Sequence, residues 1–190
     1  CQSRGKIMNR SNQLETTRFA LREIGAADLE TLHSYWSDDV VTKYMNVSFK
    51  NIEETKQMVD LLNSLPERGE GRRWAIVDKK SGVVQGSCGY HNVKAEHRRA
   101  EIGYELGRRY WGQGAIQEVM KAVINHCFEE RGFNRIEAFV TVGNNRSLNT
   151  LKRLGFRPEG LLREYEFTQG SFHDQVVFAL LRRDWKYFSE

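Results

Sequence analysis

One mixed α/β domain is expected from this chain of 190 residues, and three features of its pattern point to it. Residues 72–93 read as a β-hairpin, followed by a third alternating strand over 99–107. The apolar positions from Ala115 to Phe128 fall in pairs displaced by four, one stripe of an amphipathic helix. Alternation returns at Ile136, Ala138, Val140 and Val142, which completes a β-α-β passage near residues 100–142. With 39% hydrophobic and 28% charged residues and only two prolines, the composition is globular, not disordered or collagenous.

The elements follow in order. Thr17 to Ile24 reads as a strand carrying Phe19, Leu21 and Ile24. Asp28 is placed to cap a helix with Leu29, Leu32 and Trp36 at helical spacing. Asn51 is placed to cap a second, with Ile52, Met58, Val59 and Leu62 on one face and Pro66, Gly69 and Gly71 beyond its end. RRWAIVDKK alternates, Lys80-Ser81-Gly82 turns, and VVQGSCGYHNV returns. RAEIGYELG sets Ile102, Tyr104 and Leu106 on one face and Glu101 and Glu105 on the other. The amphipathic helix stops at Gly132. After the 136–142 strand, Asn144 or Asn145 caps a short helix with Leu148, Leu151 and Leu154, closed by Gly155. Strands near Phe156–Thr168 and Phe172–Arg182, joined at Gln169-Gly170, finish the chain. The count is about seven strands and four helices, with no internal repeat or linker.

Residues 1–14 are polar and unpatterned and read as a tag or disordered lead before a single domain over 15–190, with Met8 a candidate start. A lipid-modified Cys1 is the alternative. No apolar run is long enough for a spanning helix, so no membrane partner is expected. Cys1, Cys88 and Cys127 show no metal-ligand or CxxC spacing. This fits a reducing, cytoplasmic setting and no metal. The net charge of +4 permits an anionic partner. No aromatic-basic RNA motif or recognition-helix signature accompanies it, so nucleic acid is not expected.

The most informative segment runs from Leu106 through Tyr110-Trp111-Gly112-Gln113-Gly114-Ala115-Ile116. It leaves a strand, turns on two glycines and enters the strongest helix. Glycine lets the backbone approach a ligand closely. The first amides of the helix have no intrahelical acceptor and, with the helix dipole, suit a phosphate. Neither a P-loop nor a dinucleotide fingerprint fits: no Lys-Ser/Thr follows Gly114, and Gln117 stands where a third glycine is needed. A plain helix cap is the alternative reading.

AEIGYEL, YWGQGAIQEV and VTVGNNRSLNTLKRLGFRPEGLLREYEF together resemble the GNAT acetyltransferase superfamily, and within it the ribosomal-protein N-terminal acetyltransferases. The resemblance covers roughly Arg18 to Trp185. The Q/R-x-x-G-x-G/A signature fits literally at Arg109, Gly112 and Gly114. The branch's usual spacing instead puts Trp111, Gly114 and Ile116 in its slots, and that frame brings Asn144, Ser147 and Gly155-Phe156 to family spacing. The resemblance implies a GNAT-like fold: a single mixed, mostly antiparallel sheet splayed near its middle and flanked by helices. It also implies acetyl-CoA as co-substrate. The pyrophosphate would lie on the amides of Trp111, Gly112, Gln113, Gly114, Ala115 and Ile116. The pantetheine arm would run beside the strand ending at Leu106, with Asn144 on its amides. Arg108 and Arg109 are candidates to add charge, or a solvated pair.

The same resemblance places Glu166 near the attacking amine as base, with Glu164, Glu105 and Glu101 as competitors, and Glu164 on the same side by period two. It places Ser147 near the departing sulfur, where a hydroxyl can donate to the thiolate; helix capping is its other reading. A backbone amide near Leu106 would meet the oxyanion. Tyr104 and Tyr165 are available as acids, although alternation suggests packing for Tyr104. His91, His126 and His173 fit no triad, and Cys88 and Cys127 read as small buried groups. Tyr44, Met45 and Phe49 either line an acceptor slot or pack in the core. The expected acceptor is the N-terminal α-amine of a protein or peptide; a small amine such as an antibiotic or polyamine, or a non-catalytic acyl-CoA-binding domain, are the alternatives. A homodimer is a further expectation.

Overall fold

The structure, a computed structural model, describes residues 12–186. The expectations about Cys1 and Met8 lie outside the described residues. Leu14, at the edge of the expected lead, already belongs to the sheet.

Eight strands form one sheet: β1 (Leu14–Glu15), β2 (Phe19–Arg22), β3 (Arg72–Asp78), β4 (Val84–Lys94), β5 (Arg99–Leu106), β6 (Arg135–Thr141), β7 (Arg157–Thr168) and β8 (Ser171–Leu181). Their order is β1-β2-β3-β4-β5-β6-β8-β7, antiparallel except for β5 beside β6. The helices are α1 (Leu29–Trp36), α2 (Asp39–Thr42), α3 (Ile52–Ser64), α4 (Ala115–Asn125) and α5 (Asn145–Arg153), with a π turn over His126–Glu130 continuing α4. Strand β1, of two residues, and α2, of four, are the additions to the expected count. Neither is long enough to show a hydrophobic period.

The sheet carries an apolar layer on each face. Trp74, Ile76, Tyr90, Ile102, Ile136 and Val140 pack with α4 and with Leu151 of α5. Ala75 and Val84 pack with Leu32, Tyr35 and Trp36 of α1 and Val59 of α3. Val119, Met120, Val123 and Ile124 of α4 are each 0% exposed. Burial of such side chains contributes roughly 1.5–3 kcal/mol each. That tertiary gain holds a helix too short to stand alone in water.

Of the two caps expected for the first long helices, one is found and one differs. Asn51 Oδ1 accepts from the Glu54 amide at 3.0 Å, as expected. Ile52, the next residue, shares a helical stripe with the buried Thr55 and Val59 but is 43% exposed, because at the first helical position it projects past the end of the packed stretch. Asp28 has helical backbone angles and makes no cap bond to α1. Its carboxylate accepts from the Gly25 amide at 2.7 Å and from Arg22 at 2.6 and 2.9 Å, closing the turn before α1.

The start of α4 is tied to the sheet edge by Glu118. Its carboxylate accepts from Thr16 Oγ1 at 2.6 Å, the Arg18 amide at 2.7 Å and Arg18 Nε at 2.6 Å. Partial burial pushes its pKa up, but these hydrogen bonds and the guanidinium charge outweigh that and hold it below the usual glutamate value. The stability it contributes is therefore present above the unfolded pKa of about 4.3 and is lost as pH falls through the lower folded pKa. Glu118→Ala is expected to lose about 1–2 kcal/mol near neutrality. Urea titrations at several pH values should show a shallower acid-side loss than in the parent protein; parallel curves would refute the linkage.

Candidate functional site

Strands β5 and β6 pair only at Arg99↔Arg135, Ala100↔Ile136 and Glu101↔Glu137. Beyond Glu101, β5 continues along β4 as far as Gly86↔Leu106, and the two parallel strands part. The expected splay is present and opens a groove of about 700 Å³. The Gly107 amide donates to Gln85 O at 2.8 Å, toward β4. Strand alternation then turns the peptide groups of Ile102, Tyr104 and Leu106 toward the gap. One of them, Leu106 C=O, accepts from Trp111 Nε1 at 2.9 Å. The others form an edge that an extended ligand can pair with.

The glycine turn closes one end of the groove. Gly112 has φ +75 and Gly114 φ +73, the second forming the N-cap of α4. Among the described residues no side chain caps this helix, so its first amides are left without an intrahelical acceptor at the groove they line. A Cβ added at Gly112 would meet nothing within 4 Å, so the turn is not packed over there. Arg18 Nη1 steadies the turn from behind, donating to Gln113 O at 3.0 Å. Arg146 lies over the Trp111 ring, 3.3 Å from its centroid. This cradle of open backbone and unpaired amides fits the diphosphate and arm of acetyl-CoA.

Leu106, Trp111, Gly112, Gln113, Gly114, Ala115, Ile116, Asn144 and Ser147 all line this one groove. Asn144 is the cap of α5: its Oδ1 accepts from the Ser147 amide at 3.3 Å. Ser147 is therefore not the capping side chain. Its hydroxyl lies 2.9 Å from the Tyr104 hydroxyl, which also faces the groove. Burial pushes the Tyr104 pKa up to about 12, against an opposing pull from the Ser147 hydrogen bond. It stays a protonated donor through the neutral range. Tyr104 is thus at the site, not merely packed. The alternation of IGYEL set its face, but the pairing with Ser147 spans 43 positions and has no local signal.

The carboxylates separate. Glu105 lines the groove but is 8% exposed. It is saturated by Trp36 Nε1 at 3.0 Å, by Ser87 Oγ and by Arg73 Nη2. Glu101 accepts from Asn92 at 3.0 Å, with His91 at 3.5 Å. Glu164 is exposed at φ +50 inside a register break between Leu162 and Glu166. The period-two relation between Glu164 and Glu166 does not hold there, because the bulge interrupts alternation. Glu166 does not line the groove; it is half-buried and accepts from Gln175 Nε2, which also donates to groove-lining Thr141.

Arg108 and Arg109 are exposed and outside the groove. Its cations are Lys43, Arg146 and Arg153, the last two seven residues apart on α5 and legible only once that helix face was known. Tyr44 and Met45 line the far wall, while Phe49 packs on Trp36 at 5.6 Å. Burial raises the thiols of Cys88, to about 12, and of Cys127, so neither of these two supplies a thiolate nucleophile. Among the described residues, no helix is long and apolar enough to cross a membrane.

The acetyltransferase (GNAT) domain family matches residues 18–157. Over 173 residues the chain is 40% identical to the uncharacterized N-acetyltransferase p20 of Bacillus licheniformis, covering 90% of this chain and 97% of that protein. It is 28% identical over 126 residues to the ribosomal protein uS5-alanine N-acetyltransferase of Escherichia coli, covering 66% and 65%. A GNAT-family acetyltransferase structure from Bacillus anthracis superposes with a TM-score of 0.81 at 23% identity, over 90% of this chain and 99% of that one. That last likeness speaks for the fold. With the splayed sheet and the amide-lined turn, these matches establish that the chain belongs to the GNAT family of acetyltransferases, enzymes that use acetyl-CoA.

Proposed function

We propose that this chain moves the acetyl group of acetyl-CoA to the N-terminal α-amine of a protein or peptide, by direct attack in a ternary complex. The observation that carries this is the continuity of one groove, from the turn at Gly114 past Tyr104 and Ser147 to Tyr44 and Met45. Both substrates can lie in it together.

Acetyl-CoA supplies the acyl thioester. The amides from Trp111 to Ile116 hold its diphosphate, and the free edge at Tyr104 and Leu106 aligns the arm. As the amine nitrogen bonds to the carbonyl carbon, a backbone amide near Leu106 faces the oxyanion. The amine proton passes to Glu166, which stands beside the groove lining next to Gln175, directly where the acceptor reaches past Thr141 or otherwise through water. When the carbon–sulfur bond breaks, Ser147 Oγ donates to the departing thiolate, with Tyr104 holding that hydroxyl in place.

Two things support an α-amine. Its pKa of roughly 8, against 10.4 for lysine, asks only a modest base. Curated relatives named as acetyltransferases of ribosomal-protein alanine and serine share 28% identity with this chain over 126 and 127 residues. A polyamine is disfavoured by the charge around the groove: Lys43, Arg146 and Arg153 line it, its lining carboxylate Glu105 is already paired with Arg73, and that leaves Glu166 behind Thr141 and Gln175 as the free acid for several ammonium groups. A panel of peptides differing in the first residue, with polyamines alongside and mass spectrometry to locate the acetyl group, tests this. Acetylation of polyamines but of no peptide would overturn the acceptor assignment; acetyl-CoA binding without turnover on any amine would overturn the catalytic one. Glu166→Gln is expected to lower kcat/KM by about 10²-fold, most strongly at low pH where neutral amine is scarce. Parent-like rates across the pH range would remove Glu166 from the chemistry.

A further inference from the structure

Gln175 of β8 is 3% exposed, and both hydrogens of its amide are committed. Nε2 donates to Thr141 Oγ1 at 3.0 Å and to Glu166 Oε2. An ionised carboxylate only accepts, so the amide must present Nε2 to Glu166, and its orientation is settled. The backbone makes this contact possible. Leu162 pairs with Gln175 and Glu166 with His173, so β7 spends four steps where β8 spends two. The bulge slides Glu166 to the position diagonal to Gln175. Thr141, at the other end, is part of the groove wall.

We infer that Gln175 is a positioning residue for the reaction: it ties Oε2 of Glu166 to the groove wall at Thr141. Oε1, which makes no hydrogen bond among the described residues, is left for the amine or its bridging water. This rests on the reading of Glu166 as the base. The charged and titratable groups nearest Glu166 on the elements around it are Arg163, Glu164 and Tyr165 on β7, His173 and Asp174 on β8, and Lys43 and Tyr44 after α2, where Gln169 Nε2 meets Thr42 O at 3.4 Å. The nearby stretch of β6, Phe139 to Thr141, contributes none. Asp174 is occupied by the Glu164 amide at 2.8 Å, and His173 by Ser171 at 2.9 Å. Among the described residues, Gln175 alone donates a side-chain hydrogen bond to Glu166.

The test is the pH profile of kcat/KM for a peptide acceptor, measured with thermal stability for the parent, Glu166→Gln, Gln175→Met and Gln175→Glu. Losing a hydrogen bond to the charged carboxylate should move the acid limb of Gln175→Met toward higher pH. Gln175→Glu, which sets like charges together, should move it further. KM for acetyl-CoA should stay within about twofold, and Gln175→Met added to Glu166→Gln should change nothing more. A Gln175→Met profile lowered equally at every pH, or a fall in Tm with the limb in place, overturns the assignment and leaves Glu166 intact. A parent-like acid limb in Glu166→Gln overturns the base itself and the positioning role with it. If Gln175→Met does not fold, Thr141→Val removes the other anchor and must shift the same limb in the same direction; an unmoved limb there overturns the inference.

Discussion

Replacing Gly114 by valine is expected to weaken acetyl-CoA binding at least tenfold while the protein stays folded. Gly114 holds φ +73 where the turn becomes α4, and a β-branched residue is a genuine outlier in that region. Holding it there costs roughly 1–2 kcal/mol, so the turn relaxes and the amides that follow turn away from the groove. Each tenfold in affinity is about 1.4 kcal/mol, so loss of even one aligned donor reaches the predicted size. Gly112→Ala provides the graded comparison. Its Cβ would enter open space, so only the φ of +75 resists it and a smaller loss is expected. Calorimetry with acetyl-CoA reads both variants. Undiminished affinity in Gly114→Val would mean that the turn does not hold the diphosphate.

The largest effect on stability should come from Glu105→Ala. This carboxylate joins four elements: it sits on β5 and accepts from Trp36 on α1, Arg73 on β3 and Ser87 on β4. Removing it leaves the Arg73 guanidinium, whose side chain is 15% exposed, without its counter-charge. Breaking such a buried pair costs about 3–5 kcal/mol. For a domain of this size that corresponds to a Tm lower by about 10 °C. Glu101→Ala, whose partner His91 is 41% exposed, should cost about 1 kcal/mol or less. Denaturant titration of the two variants compares them directly. Equal, small losses would show that the Glu105 network is peripheral. The same saturation argues that Glu105 is a structural acid at the groove and not its base.

Much of this molecule is legible in one dimension. The amphipathic stripe of α4 and the alternation of β3, β4, β5 and β6 come from periods of 3.6 and 2 that depend only on which face is buried. Asn51 and Asn144 cap their helices by contacts three residues away, within reach of local reading. The turn at Gly112 and Gly114 is legible because a left-handed backbone selects glycine. Asp28, by contrast, was drawn from α1 by Arg22 six residues earlier on another element, and the bulge that separates Glu164 from Glu166 has no periodic signature.

Sequence alone determined the buried stripe of α4, where α3 and α5 start, and that a glycine turn feeds the strongest helix, because these follow from neighbours a few residues apart. Tertiary structure alone decided which side chains share the site. Tyr104 meets Ser147, Glu105 is consumed by Arg73 and Trp36, and Glu166 is reached through Gln175. Those pairings depend on strand register and on where β5 parts from β6, and both are set by the packing of the whole sheet against its two layers of helices.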